Sequence, residues 1–205
     1  MSILREMFGP SRNEVWSQLG DELGADFSEN GFLKKGKVVL DHGEWEITLD
    51  TYTIHTQNSH VTYTRMRAPY VNKDGFRFNV YRKSIFSWLG KLFNMQDVEI
   101  GDSQFDEEFI IQGKPEEMVV KLFSKPHIRS LIEKQKSIHF MVKDDEGWFR
   151  RKFPDGVDEL YFQVQGVIKD KERLKDLFEL FSEVLDELCN MGSAYKSKPD
   201  VELSN

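Results

Sequence analysis

Between Asp170 and Gly192 the chain carries Leu174, Leu177, Phe178, Phe181, Val184, Leu185 and Leu188, spaced by three and four residues. That spacing places all seven on one face of a long helix, since residues so separated stack on a single side. Asp170 supplies the opening cap and Gly192 the stop. A helix this greasy on one side needs a roofed partner. Each of these side chains gains about 1.5–3 kcal/mol when buried, and that gain is lost if the face stays wet.

The rest of the chain offers a β-sheet as that partner. Trp45, Ile47 and Leu49 alternate with Glu46, Thr48 and Asp50, the period of a half-buried strand. The pattern then passes to Tyr52 and Ile54, which predicts a bulge near Asp50–Thr51. Thr56-Gln57-Asn58-Ser59 reads as a turn, with a returning strand from His60 to Ala68 that Pro69 ends. A second turn at Asn72–Gly75 leads to the alternating Phe76–Arg82. Connections this short join antiparallel neighbours, so residues 37–82 read as a meander.

Two helices precede the meander. Ile3, Leu4, Met7 and Phe8 share a face in the first, read either as core padding or as a docking element. Ser11-x-x-Glu14 is a capping box for the second, ending near Leu23. After the meander, Ser84 opens a short helix carrying Ile85, Trp88, Leu89 and Leu92. Residues 96–113 form an acidic loop (Asp97, Glu99, Asp102, Asp106, Glu107, Glu108) feeding a short strand, Phe109–Gly113. Pro115 and Pro126 open two short helices, and strands follow at 137–142, 146–152 and 158–166. The expected fold is α+β: antiparallel sheet, helices largely on one side, the last helix across it. Residues 1–192 form one domain and the tail, 193–205, is expected to be disordered.

The net charge of −7 argues against non-specific nucleic-acid binding, which needs a positive field. One cysteine, Cys189, cannot form an internal disulfide and points to a reducing, cytoplasmic setting. No segment reaches the run of about 18 apolar residues that spans a bilayer, and residues 1–10 lack a secretory leader's apolar core.

Chemical motifs are sparse. Gly31–Val38 matches G-x-x-x-x-G-K but puts Val38 where magnesium needs a hydroxyl, and a strand rather than a helix follows. His55 and His60 flank the hairpin turn and are candidate metal ligands, with Asp50 or His42 as a third. Cys189 has no neighbouring base and reads as a packing residue. Arg65, Arg67 and Arg77, interleaved with Tyr63 and Tyr81, form a candidate binding site for an anionic partner. Cross-strand pairing with Glu46, Asp50 or the acidic loop is the competing and favoured explanation of those arginines. No catalytic residue and no cofactor is indicated.

Gln96-Asp97-x-Glu99-x-Gly101-Asp102, then Phe105-Asp106-x-x-Phe109-x-Ile111-x-Gly113, then Pro115-Glu116, resemble a half found in uncharacterised bacterial domain-of-unknown-function families, over residues 96–190. The resemblance implies one integral module of bacterial origin and carries no catalytic residue. Three functions are compatible with the sequence. The first is a non-enzymatic protein-interaction or adaptor module, with a protein partner or a second copy, working through the arginine face or the N-terminal helix. The second is a small-molecule binder with an aromatic pocket between sheet and last helix. The third is an enzyme with a carboxylate or metal site.

Overall fold

A computed structural model describes residues 9–30, 35–85, 97–144, 153–201 and 203. Helix α1 is Arg12–Leu23, followed by strands β1 (Asp26–Asn30), β2 (Lys35–His42), β3 (Trp45–His55), β4 (His60–Asn72) and β5 (Arg77–Arg82). Then come α2 (Ser103–Glu108), β6 (Phe109–Lys114), α3 (Glu116–Phe123), α4 (Pro126–Glu133), β7 (His139–Lys143), β8 (Val157–Gln165), α5 (Lys171–Asn190) and β9 (Ala194–Tyr195). The strands form one antiparallel sheet in the order β1-β2-β3-β4-β8-β7-β5-β6, with β9 added to β4. The fold class is the α+β arrangement expected.

Helix α5 lays its apolar face on the sheet. Asp170 accepts from Arg173 N at its start, and Leu174, Leu177, Phe178, Leu180, Phe181, Val184, Leu185 and Leu188 are all buried. Phe181 meets Phe140 of β7 with ring centroids 5.4 Å apart, and Phe140 meets Phe78 of β5 at 5.3 Å. These rings lie between the sheet and α5, the layer in which the alternative reading puts an aromatic ligand pocket. Helix α1 has the full capping box of Ser11 and Glu14 and ends at Gly24 in the left-handed region, φ 65°. Its start lies so close to β2 that a Cβ on Gly36 would sit 2.9 Å from Asn13 Oδ1 and 3.0 Å from the Phe27 ring. The glycine of the G-x-x-x-x-G-K string therefore serves helix–strand packing. Lys35–His42 is a strand, so the helix that a phosphate loop requires does not follow.

Several local expectations are corrected. There is no bulge at Asp50–Thr51: the β3–β4 register runs unbroken from Thr48↔Arg67 to His55↔His60. The apolar pattern changes sides because Tyr52 and Ile54 lie on the face opposite the helices. Pro69 sits inside β4, opposite Glu159 of β8. Gly166 N donates to Thr62 O and Asn72 N to Gly156 O, so the even residues of β4 turn their backbone toward β8. Pro69 turns toward β3, where the ladder has already stopped at Arg67, so no donor is needed there.

β5 does not pair with β4, because β8 and β7 lie between them. The short turn after Asn72 is instead held by its own side chains: Asn72 Nδ2 donates to Phe76 O and to Asp158. The acidic loop contains a helix, α2, capped by Asp102 and anchored by buried Phe105. The start of the tail is ordered: Ala194 and Tyr195 pair with Asn72 and Val71, and buried Ser193 donates to Asp74. The helix expected over residues 3–8, most of the helix at 84–92 and the strand at 146–152 fall outside the described residues.

Candidate functional site

Alternation gives the sheet two unlike faces. Ile47, Leu49, Met66, Ala68, Val80, Phe140 and Phe162 belong to the core cluster on the helix side. Register places Asp50, Arg65, Arg67, Tyr161, Gln163, His139, Asn79 and Gln112 on the other side. These polar side chains are nonetheless withdrawn from water, Arg67 being 2% exposed and His139 7%. Buried polar groups persist when they are paired, and most of these are paired with one another.

Asp50 holds the two arginines of the candidate stripe. Arg65 donates to it through Nε at 2.5 Å and Nη2 at 2.9 Å, and Arg67 through Nη2 at 2.7 Å. Burial works against the Arg65 charge, but the hydrogen bond and charge of Asp50 outweigh it and raise the arginine's pKa. The same guanidinium lies over the Tyr52 ring, which stacks on Tyr63 at 5.2 Å. Arg77 is on β5, with β8 and β7 between it and β4, and is paired with Asp144 at 2.9 Å and Asp158 at 3.3 Å. Tyr81 is also on β5 and packs edge-on to His139, so Tyr63 and Tyr81 do not interleave with one cluster. All three arginines are thus held by internal carboxylates, which is the internal-pairing alternative and not an open stripe.

Beyond the triad a chain of hydrogen bonds crosses the sheet. Tyr52 and Tyr161 hydroxyls donate to Gln163 Oε1 at 2.6 and 3.0 Å. Gln163 Nε2 donates to His139 Nδ1 at 3.4 Å, and His139 Nε2 donates to Asn79 Oδ1 at 2.9 Å. Asn79 Nδ2 donates to Gln112 Oε1 at 3.4 Å, and Gln112 Nε2 to Asp97 Oδ1 at 2.9 Å. Asp97, as a carboxylate, only accepts, so every link points the same way and each polarises the next. His139 is therefore neutral with its hydrogen on Nε2. Burial, with Lys143 a second cause, pushes its pKa down to about 4. Sequence alone could show polar residues at every second position of these strands, but not the pairing that joins them.

The far end of β3 and β4 is different. Pairing of β3 with β2 ends at Leu49, and pairing of β4 with β8 ends at Thr64, apart from a bridge from Tyr63 to Gly166. Among the described residues, 54–61 run on as a two-stranded ribbon with neither neighbour. Ile54 there is 45% exposed, and Thr53 and Thr62 join across the ladder through their hydroxyls at 3.0 Å. His55 and His60 do meet, as their spacing suggested, with Nδ1 atoms 2.7 Å apart. Neither suggested third ligand joins them: Asp50 holds the arginines, and His42 bonds Asp186 at 3.0 Å. Among the described residues no group of three or more His, Cys, Asp or Glu is placed to hold a metal.

The acidic loop spends its carboxylates on local structure. Asp106 accepts from Ile100 N and Gly101 N, Asp102 caps α2 and pairs with Arg129, and Glu108 pairs with Arg82. Cys189 is half-buried, and burial, with Asp186 as a further cause, pushes its thiol pKa up, away from a reactive thiolate. A surface groove of about 240 Å³ at the start of α5 has basic lining residues, but Arg173 donates to Gln135 and Ser137, and Lys169 to Pro10 O.

No family model, curated protein or solved structure matches the chain.

Proposed function

We propose that this protein is a non-enzymatic interaction module that holds a protein partner, or a second copy of itself, through the projecting end of the β3–β4 ribbon. The observation that carries the reading is that β3 and β4 outrun both neighbouring strands, so that, among the described residues, 54–61 have no strand on either flank and Ile54 is in solvent. Unpaired strand edges offer backbone donors and acceptors to an added chain, and an exposed aliphatic side chain supplies contact area. The arginine face is occupied by Asp50, Asp144 and Asp158, which moves the contact surface from that stripe to the ribbon. The resemblance over residues 96–190 and the single cysteine accord with a bacterial cytoplasmic setting.

The test compares wild type with Ile54→Asp. Sedimentation at rising concentration reads self-association, and capture from an extract of the producing cells reads other partners. The reading expects at least one association present in wild type to be lost in the variant while the fold is kept. Identical association by both proteins would refute it.

A further inference from the structure

The ribbon end carries a second, independent feature. Thr56 N donates to Ser59 O at 2.9 Å, so the pair next to it, His55 and His60, is a non-hydrogen-bonded pair, in which side chains stand closer than in a hydrogen-bonded one. Their Nδ1 atoms are 2.7 Å apart, and both residues are exposed. One ring lends a hydrogen to the other there, so a nitrogen lone pair and a hydrogen occupy the same small gap. The backbone, and not chance rotamers, brings two imidazoles together.

We infer that His55 and His60 form a two-nitrogen chelate for a late transition-metal dication, copper(II) above all. With metal–nitrogen bonds of about 2.0–2.1 Å, two nitrogens at a right angle lie about 2.9 Å apart, and at a tetrahedral angle about 3.3 Å. The observed hydrogen-bonded gap of 2.7 Å reaches either value by opening a few tenths of an ångström, so the choice of metal follows the affinity order for nitrogen ligands. Each ring has to swing its lone pair from its neighbour toward a common point, a motion that exposed side chains make freely. The hydrogen on one Nδ1 is exchanged through water to Nε2 of the same ring, so the neutral pair becomes two neutral ligands with no net loss of a proton. Two protein ligands leave the remaining coordination positions to water or to a donor from another molecule. Because copper(II) stands highest in the affinity order for nitrogen ligands, it is the metal of choice for a test. This inference does not depend on the ribbon having a protein partner.

The experiment is titration of the untagged full chain with copper(II) chloride, and separately nickel(II) chloride, read by calorimetry. Electron paramagnetic resonance of the copper sample reports the nitrogens bound. The expected result is one equivalent of metal, two equatorial nitrogens, and affinity at least about tenfold weaker in both His55→Gln and His60→Gln. His127→Gln, remote from the ribbon, is expected to bind as wild type does. Absence of binding in wild type overturns the inference, as does binding that survives in either ribbon variant. The two-nitrogen signal is what separates the chelate from a single surface imidazole.

Discussion

Asp50 faces Arg65 across β3 and β4, and His55 faces His60 five rungs farther along the same two strands. Ladder and register are shared, but an odd number of rungs puts the two pairs on opposite faces of the sheet. The outcomes differ because Arg65 has β8 beside it and the first pair is removed from water, while the second pair has no neighbouring strand among the described residues and is exposed. In the first setting a charged pair becomes part of the fold, since a buried charge is tolerated only when it is matched. In the second setting the histidine pair adds little to stability and stays available. Whether a polar cross-strand pair is structural or open to a ligand is decided here by the strands alongside.

The largest expected effect is at the buried end. Asp50→Ala removes the carboxylate shared by Arg65 and Arg67, and urea denaturation is expected to show a loss of about 3–5 kcal/mol. Replacing the whole triad, D50L with R65M and R67L, is expected to recover only part of that loss, because buried Glu159, whose charge acts on Arg65, then loses that cation. A loss from Asp50→Ala as small as a surface substitution would break the comparison.

Next comes His139. Its folded pKa of about 4 lies below the ordinary 6.5, so between those values the unfolded chain binds the extra proton. Stability is therefore lost as pH falls from 6.5 toward 4, by on the order of 3 kcal/mol in all. His139→Gln is expected to lack that part of the acid dependence in denaturation curves collected across this range. An unchanged acid limb would mean that the hydrogen-bonded row does not hold the imidazole neutral.

Two smaller effects sharpen the contrast along the ladder. A double-mutant cycle of Thr53→Ala and Thr62→Ala, halfway to the tip, is expected to give a coupling of about 0.2–1 kcal/mol. Ile54→Asp at the open end is expected to change the unfolding free energy by no more than about 0.5 kcal/mol. A loss of several kcal/mol there would place the ribbon end inside the folded core.

Much of this architecture is legible in the residues themselves. The apolar face of α5, the Ser11–Glu14 capping box and the turn between β3 and β4 each follow from local spacing, and each is found. Strand order is not local. Nothing between Asn72 and Phe76 says that β8 will take the place beside β4, because that depends on Asp158 and Asn72 meeting from 86 residues apart. Pro69 misleads for a related reason: its missing N–H matters only on a side that has a neighbour. The encounter of His55 and His60 could be read from hairpin spacing, whereas the row through Gln163, His139, Asn79 and Gln112 required the pairing of four strands.

Native-state hydrogen exchange across residues 48–67 tests the division of the β3–β4 ladder most directly, because it reads the opening free energy along both strands. The account predicts slow exchange, close to the global unfolding free energy, for hydrogen-bonded amides near Leu49 and Met66, and fast exchange through local opening for residues 54–61. Uniform protection from one end of the ladder to the other would contradict it.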